Sequence, residues 1–413
     1  MLNRDLAGVL RSPASACPAV LEGEWLGQAG SHALAAVDSV SILEGRAEAL
    51  AELPAWIAQH ARQFPAGGAI GFLSYELARF FESLPLVPDE SLPDLWFAYY
   101  PRIERLPCRD SALPVAQGSS LGNARAHFDA YGFAQGVEKI REYIAAGDIY
   151  QANLTQSVAV SLHGLGPESI YHRLSSQRAS FRAFLRNPQL TVISNSPERF
   201  FHVSEGRILA SPIKGTIARS DDPAEDKRRM ARLLASIKDR AENIMIVDLL
   251  RNDLGRICRY ETIQARLWEV DSLPHLFHLV SHVQGTLRPG VGLLEILRAL
   301  FPCGSITGAP KIRAMEILDE IEKQPRGVSM GAIGIVLGAP DMDRFEMDFN
   351  VAIRTMTIRD DVAVFNVGGG IVYDSDPHAE FEEMMLKARP LLAALGMGAR
   401  PESRAIEACV LEG

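Results

Sequence analysis

Two rhythms of apolar and polar residues run along this chain. Phe133, Val137, Ile140 and Ile144 recur at helical spacing, and the pattern stops at Gly147, a residue that ends helices. A strand is expected next, over residues 150–160. Further short apolar stretches predict strands around 191–194, 206–210, 331–337, 351–358 and 362–367. Helical patterning runs from Pro223 into the region of Leu249, from Pro310 to about Lys323, and from Pro377 to about Leu395. All three helices open with proline at or near the first position, where a missing N–H costs nothing, and Asp222 and Asp376 stand where N-caps belong.

Residues 1–106 alternate short apolar segments with Gly and Pro, as in Gly67-Gly68-Ala69-Ile70-Gly71-Phe72-Leu73, which reads as a strand leading into a helix start. Between 107 and 125 the composition turns to Ser, Gly, Ala and Pro, a linker or long loop. The organisation expected is an N-terminal region 1–106, the linker 107–125, a catalytic region 126–397 and a tail 398–413. The earlier strands are free to join a sheet built later. Strands in succession and between helices, without a Gly-x-Gly-x-x-Gly or phosphate-loop motif, predict an α+β fold with large antiparallel sheets flanked by helices.

The 413 residues, 47% hydrophobic and 23% charged, suit a soluble globular protein with a sizeable core. A net charge of −9 without a dense basic block argues against nucleic acid as a partner. The five cysteines are scattered, with no metal-ligand spacing, and no apolar run is long enough to span a membrane. The expectation is a cytoplasmic protein with reduced thiols.

Lys214, in Ser211-Pro212-Ile213-Lys214-Gly215-Thr216, sits among uncharged neighbours, where an amine loses its proton more readily and becomes a nucleophile. The alternative is a solvated lysine in a turn. Glu380, Glu383 and Lys387 share one helix face, and Asp239 and Glu242 repeat the offset of three on another helix. Two such acid pairs either converge on a hard divalent cation, magnesium being the natural candidate, or stay solvated with Glu383 pairing with Lys387. Gly368-Gly369-Gly370 follows an apolar strand and either lets backbone N–H groups approach an anion or makes a tight turn. Arg354 interrupts apolar sequence and needs an acidic partner or an anionic ligand. Gly304–Lys311, including Thr307, offers hydroxyls and N–H groups at a helix start. His278, between His275 and His282, is either a core histidine or part of a metal cluster, and zinc is disfavoured because no cysteine lies near.

Together these segments resemble the chorismate-utilising enzymes. The resemblance rests on Ser-Pro-Glu-Arg-Phe at 196–200, Ala-Glu-Asn at 241–243 leading into Val247–Leu254, Gly304–Met315 and Gly368–Ser375, in the family order. It implies one complex domain in which large antiparallel sheets pack as a sandwich. Anthranilate-forming relatives carry a small residue where this chain has Lys214, whereas Pro-Ile-Lys-Gly-Thr resembles the branch that makes 4-amino-4-deoxychorismate. Gln151 stands where isochorismate and salicylate synthases place a water-activating lysine, a role a glutamine cannot fill. The implied chemistry is attack by Lys214 with Glu198 as general acid. Glu242 and Glu383 resemble magnesium ligands, with Asp239 and Glu380 behind them. Arg354, Lys387, Thr307, Gly368 and Gly370 resemble groups that receive substrate carboxylates, and His278 a histidine near the ring. The resemblance also implies ammonia delivered by a separate glutamine amidotransferase subunit. Anthranilate formation, and a non-catalytic binding or regulatory subunit, are the alternatives. Two departures stand out: Ser329-Met330 replaces the usual aromatic before Gly331, and Gly45 replaces a serine in the segment that holds tryptophan in relatives, so tryptophan binding is not expected.

Overall fold

The computed structural model describes residues 5–27, 32–108, 124–175, 179–273, 276–338 and 345–397. Its frame is a pair of ten-stranded sheets in which every strand pairing is antiparallel. In one, the order is Gly308–Ala309, Gln151–Ser161, Val362–Ile371, Thr355–Arg359, Thr191–Ser196, Phe181–Arg186, Ala19–Gly23, His32–Ala36 and Glu104–Pro107. Its tenth strand, Ala124–Ala126, joins beside Gln151–Ser161. The other runs Ile213–Ala218, Leu276–Thr286, Arg207–Ser211, Arg199–Ser204, Glu346–Val351, Ala332–Leu337, Gly68–Leu73, Leu95–Tyr100 and Ser41–Gly45, with Gln264–Ser272 attached to Leu276–Thr286. Strands from before residue 107 thus belong to sheets completed after residue 180. Ala19–Gly23 lies against Phe181–Arg186, and Gly68–Leu73 against Ala332–Leu337.

Side-chain alternation explains the layering. Ile70, Phe72, Trp96 and Ala98 of one sheet meet Leu21, Leu34, Phe181 and Ala183 of the other in a core between the sheets. The intervening residues Ala69, Leu73, Phe97 and Tyr99 point outward into a second core covered by Ile246, Leu250, Ile296 and Leu297. A third core joins Leu154, Val158 and Phe365 to Phe133, Val137, Ile317 and Leu391 of the helices on the opposite outer face. Strands buried on both faces read as continuous apolar runs, which is why Gly68–Leu73 shows no polar alternation.

Helix ends follow local chemistry. Asp222 accepts from the N–H groups of Ala224 and Glu225, and Asp376 from that of Ala379, as expected for N-caps. The helix expected from Pro223 to Leu249 is two helices, Pro223–Ala235 and Ile237–Gly255. Ser236 breaks it with ψ near 110° and caps the second helix by accepting from the Asp239 N–H. Pro310 is the N-cap of Lys311–Glu322 rather than its first helical residue. The single strand expected over 351–358 is also two, because Arg354 turns the chain with φ near +49° between Glu346–Val351 and Thr355–Arg359. Most of the expected linker, residues 109–123, and the tail 398–413 lie outside the described residues.

Candidate active site

A cavity of about 680 Å³ is bordered by Lys214, Glu198, Glu242 and Glu383. Lys214 reaches it through a break in register. Ile213 pairs with Val280 and Thr216 with His278, so the two residues between them bulge, and Gly215 takes φ near +86°. A β-carbon at Gly215 would sit 2.9 Å from the Asp239 carboxyl carbon, which reserves the position for glycine. The Lys214 Nζ lies 3.9 Å from Glu242 Oε2, so the amine's surroundings are not the uncharged ones its flanking sequence suggests.

Glu198 stands between Thr191–Ser196 and Arg199–Ser204, where the Ser196 hydroxyl accepts from its N–H at 3.2 Å and its carbonyl accepts from Val351 N–H at 3.0 Å. Burial pushes its carboxyl up to about 7, against the opposing pull of Ser305, Lys214 and the Ile213 backbone. Its Oε1 is buried without a hydrogen-bond partner. His278 is held at Nδ1 by the Thr216 hydroxyl at 2.8 Å, while Nε2 is buried and unpartnered. Burial, with Arg354 nearby, pulls the imidazole down to about 4, so His278 is neutral at physiological pH. Arg354 borders the same cavity and has neither an ion pair nor a side-chain hydrogen bond among the described residues.

The four acids expected to converge all border the cavity. Burial raises the Glu242 carboxyl, Lys214 and Lys238 oppose that, and Asp239 and Glu383 add to it. Burial also raises Glu383, but Lys387 at 2.8 Å, helped by Lys238 and Lys214, leaves it below its usual range. Glu380 accepts from the Ser375 hydroxyl at 2.7 Å. As an all-carboxylate donor set on one cavity, these residues fit a hard cation such as magnesium. They do not form a closed cage: no three His, Cys, Asp or Glu side chains among the described residues are grouped to enclose an ion. Lys214 and Lys238 lie 3.9 and 4.0 Å from Glu242, and Lys387 pairs with Glu383.

Gly368–Gly370 is neither a turn nor a loop after the strand but part of the strand Val362–Ile371. Gly368 and Gly370 pair with Thr155 and Asn153, and a β-carbon at Gly370 would press within 2.8 Å of Gln151 Nε2. The strand Thr355–Arg359 covers the other edge only as far as Phe365, which leaves the edge at Gly368 and Gly370 bordering the cavity. There Lys387 donates to the Gly368 carbonyl at 3.2 Å while also pairing with Glu383.

Two expected residues are placed differently. Thr307 does not border the cavity; its hydroxyl donates to the carbonyls of Cys303 and Gly304 at 3.2 and 3.3 Å, and Ser305 and Ile306 face the space instead. A tight 3-10 turn over Gly304–Ile306 shifts the exposed position by two residues. Gln151 is wholly buried behind Gly370, with both amide atoms unpartnered, rather than on the cavity surface. Sequence reading also missed Asn153, Lys238 and Asn366, which border the cavity, as does Met330 of the Ser329-Met330 departure. Lys238 alone carried a signal, through its place beside Asp239. His275 lies outside the described residues, and His282 pairs with Ser211 and Glu269, so no histidine cluster forms among those described.

A family model described as chorismate binding enzyme matches residues 24–393. The chain is 38% identical over 353 residues to aminodeoxychorismate synthase component 1 of Klebsiella aerogenes, covering 80% of this chain and 77% of that one. It is 36% identical over 379 residues to anthranilate synthase component 1 of Streptomyces coelicolor, covering 80% and 73%. Among solved structures, anthranilate synthase component I from Streptococcus pneumoniae superposes with a TM-score of 0.74 at 28% identity, over 87% of this chain and 92% of that one.

Proposed function

The chain belongs to the chorismate binding enzyme family, and from that premise we propose that it replaces the C4 hydroxyl of chorismate with ammonia, forming 4-amino-4-deoxychorismate. The observation that carries this reading is Lys214, delivered by a bulge into the cavity that Glu198 borders, a carboxyl held protonated to about pH 7. The neutral Lys214 amine attacks C2, the two ring double bonds shift, and the C4–O bond breaks. Glu198 gives its proton to the departing oxygen, which leaves as water. Ammonia then adds at C4, the double bonds shift back, the C2–N bond to Lys214 breaks, and ammonia's surplus proton returns to Glu198. Ammonia enters and water leaves.

Arg354, Lys387 and the open edge at Gly368 and Gly370 receive the substrate's two carboxylates. The neutral His278, with an unpartnered Nε2, lies against the ring. Glu242 and Glu383, backed by Asp239 and Glu380, would hold magnesium, which when bound supplies positive charge toward the ring carboxylate. Gln151, an amide buried behind Gly370 rather than an amine at the cavity, supplies no base for water. Free ammonia is scarce near neutral pH, and relatives bear the name component 1, so a separate glutamine amidotransferase subunit supplies it in the cytoplasm.

Chorismate, magnesium and ammonium incubated with the protein should yield a product with the mass of aminodeoxychorismate, and Lys214→Ala should lower the rate by at least about 1,000-fold. The identity to anthranilate synthases favours a second reading in which anthranilate and pyruvate are the products. Release of pyruvate with a fluorescent product by the wild-type protein would replace the first reading with the second.

A further inference from the structure

The strand Gln151–Ser161 has one edge covered by Val362–Ile371, the strand that presents Gly368 and Gly370 to the cavity. Its other edge pairs with Gly308–Ala309 at Gln151 and Ala152 and with Ala124–Ala126 from Val158 to Val160, and single backbone bonds run from the Asn153 N–H to the Thr307 carbonyl and from the His127 N–H to the Ser157 carbonyl. Between them, two buried side chains take the place of a strand. Glu322 Oε1 accepts from the Thr155 N–H at 2.7 Å and from its hydroxyl at 3.1 Å. Arg326 Nη2 donates to the Asn153 carbonyl at 2.7 Å.

The Arg326 guanidinium also binds Glu322 through Nε at 2.8 Å and Nη2 at 2.7 Å, and its Nη1 donates to the Ile306 carbonyl at 2.8 Å. Asn153 and Ile306 both border the cavity. One planar fork therefore ties the strand behind Gly370 to the turn that carries Ser305 beside Glu198. The arginine is itself fixed from the N-terminal region: Glu76 accepts from the N–H of Arg326 at 2.6 Å and from that of Gly327 at 3.1 Å, and the Tyr75 ring lies 4.5 Å from the guanidinium.

We propose that Arg326 is a positioning residue for the reaction: its guanidinium sets the spacing between the cavity wall at Asn153 and Gly370 and the turn at Ser305 and Ile306. The inference rests on the chorismate reading of the cavity. A lysine at this position offers its three donors from one nitrogen and cannot span the two carbonyls and the carboxylate as the planar guanidinium does.

The test is Arg326→Lys, with Glu76→Gln as a second variant that leaves the guanidinium and its bonds in place and weakens only their anchor. Three quantities are measured: chorismate affinity by calorimetry, chorismate consumption by absorbance, and thermal stability. For Arg326→Lys we expect kcat to fall about 100-fold with KM changed less than about threefold, the pattern of a displaced reacting geometry. Glu76→Gln should lower kcat about tenfold with affinity unchanged. If Arg326→Lys does not fold, Glu76→Gln decides. A lowered melting temperature with wild-type kcat and KM per folded molecule would show a purely structural role and overturn the inference. Wild-type protein that does not bind chorismate would overturn the cavity reading and the inference together, whereas chorismate consumed to a product other than aminodeoxychorismate would overturn only the amination.

Discussion

Arg326 and Arg354 are two guanidiniums set in the protein interior, and their surroundings are opposites. Around Arg326 the donors are matched by Glu322 and two backbone carbonyls. Around Arg354 there is no acid and no side-chain hydrogen bond among the described residues, and burial pulls the guanidinium below its usual value. Its neighbourhood repeats the theme, with Glu198 Oε1 and His278 Nε2 buried and unpartnered. A buried polar group without a partner costs stability, so the region around Arg326 is matched within the fold, whereas the region around Arg354 leaves polar groups that a bound anion would satisfy. The difference separates scaffold from site more cleanly than burial does.

Changes in the unpartnered region should affect turnover and spare stability. Glu198→Gln should lower kcat about 1,000-fold, the middle of the range for a general acid, while the melting temperature holds or rises. The sign with pH follows from the raised carboxyl. Glu198 must be protonated to act, so wild-type activity, expressed per free ammonia, should decline as pH climbs through about 7. The remaining activity of the variant should lack that decline, and a decline of the same shape in both would assign it to another group.

In the matched region stability should fall as well as turnover. Glu322→Ala leaves a buried guanidinium without its carboxylate and should destabilise the fold by about 3 kcal/mol in denaturant unfolding. Arg354→Met is the smallest of the three effects and the sharpest contrast. It should weaken chorismate binding about 30-fold by calorimetry, the loss of one charge-assisted contact worth about 2 kcal/mol, without lowering stability. An unfolding free energy that drops as far for Arg354→Met as for Glu322→Ala would erase the distinction between the two regions.

Much of the site was legible because its residues follow local rules. Gly215 is a glycine because the bulge that presents Lys214 needs a positive φ and no β-carbon beside Asp239. Asp222 and Asp376 cap helices, as such residues do before a proline. The reading failed where a neighbour distant in sequence decided the outcome. Ser236 breaks a pattern that looks continuously helical, and no proline or glycine marks the break. Thr307 looked like a ligand contact but is turned away by the 3-10 turn, which brings Ser305 forward. The Gly368–Gly370 run left a tight turn open as an alternative because nothing local reveals that Gln151–Ser161 lies against it.

Periodicity, caps and the motif at 211–216 depend on residues a few positions apart, whose geometry is set by bonded distances and backbone sterics, and so they were determined by the chain alone. Which of two interior arginines is matched and which is bare depends on Glu322, Asn153 and Ile306 arriving from three separate elements. That arrival is a property of how the sheets and helices pack. Local sequence carries no record of it, because hydrogen-bond partners are chosen by proximity in space.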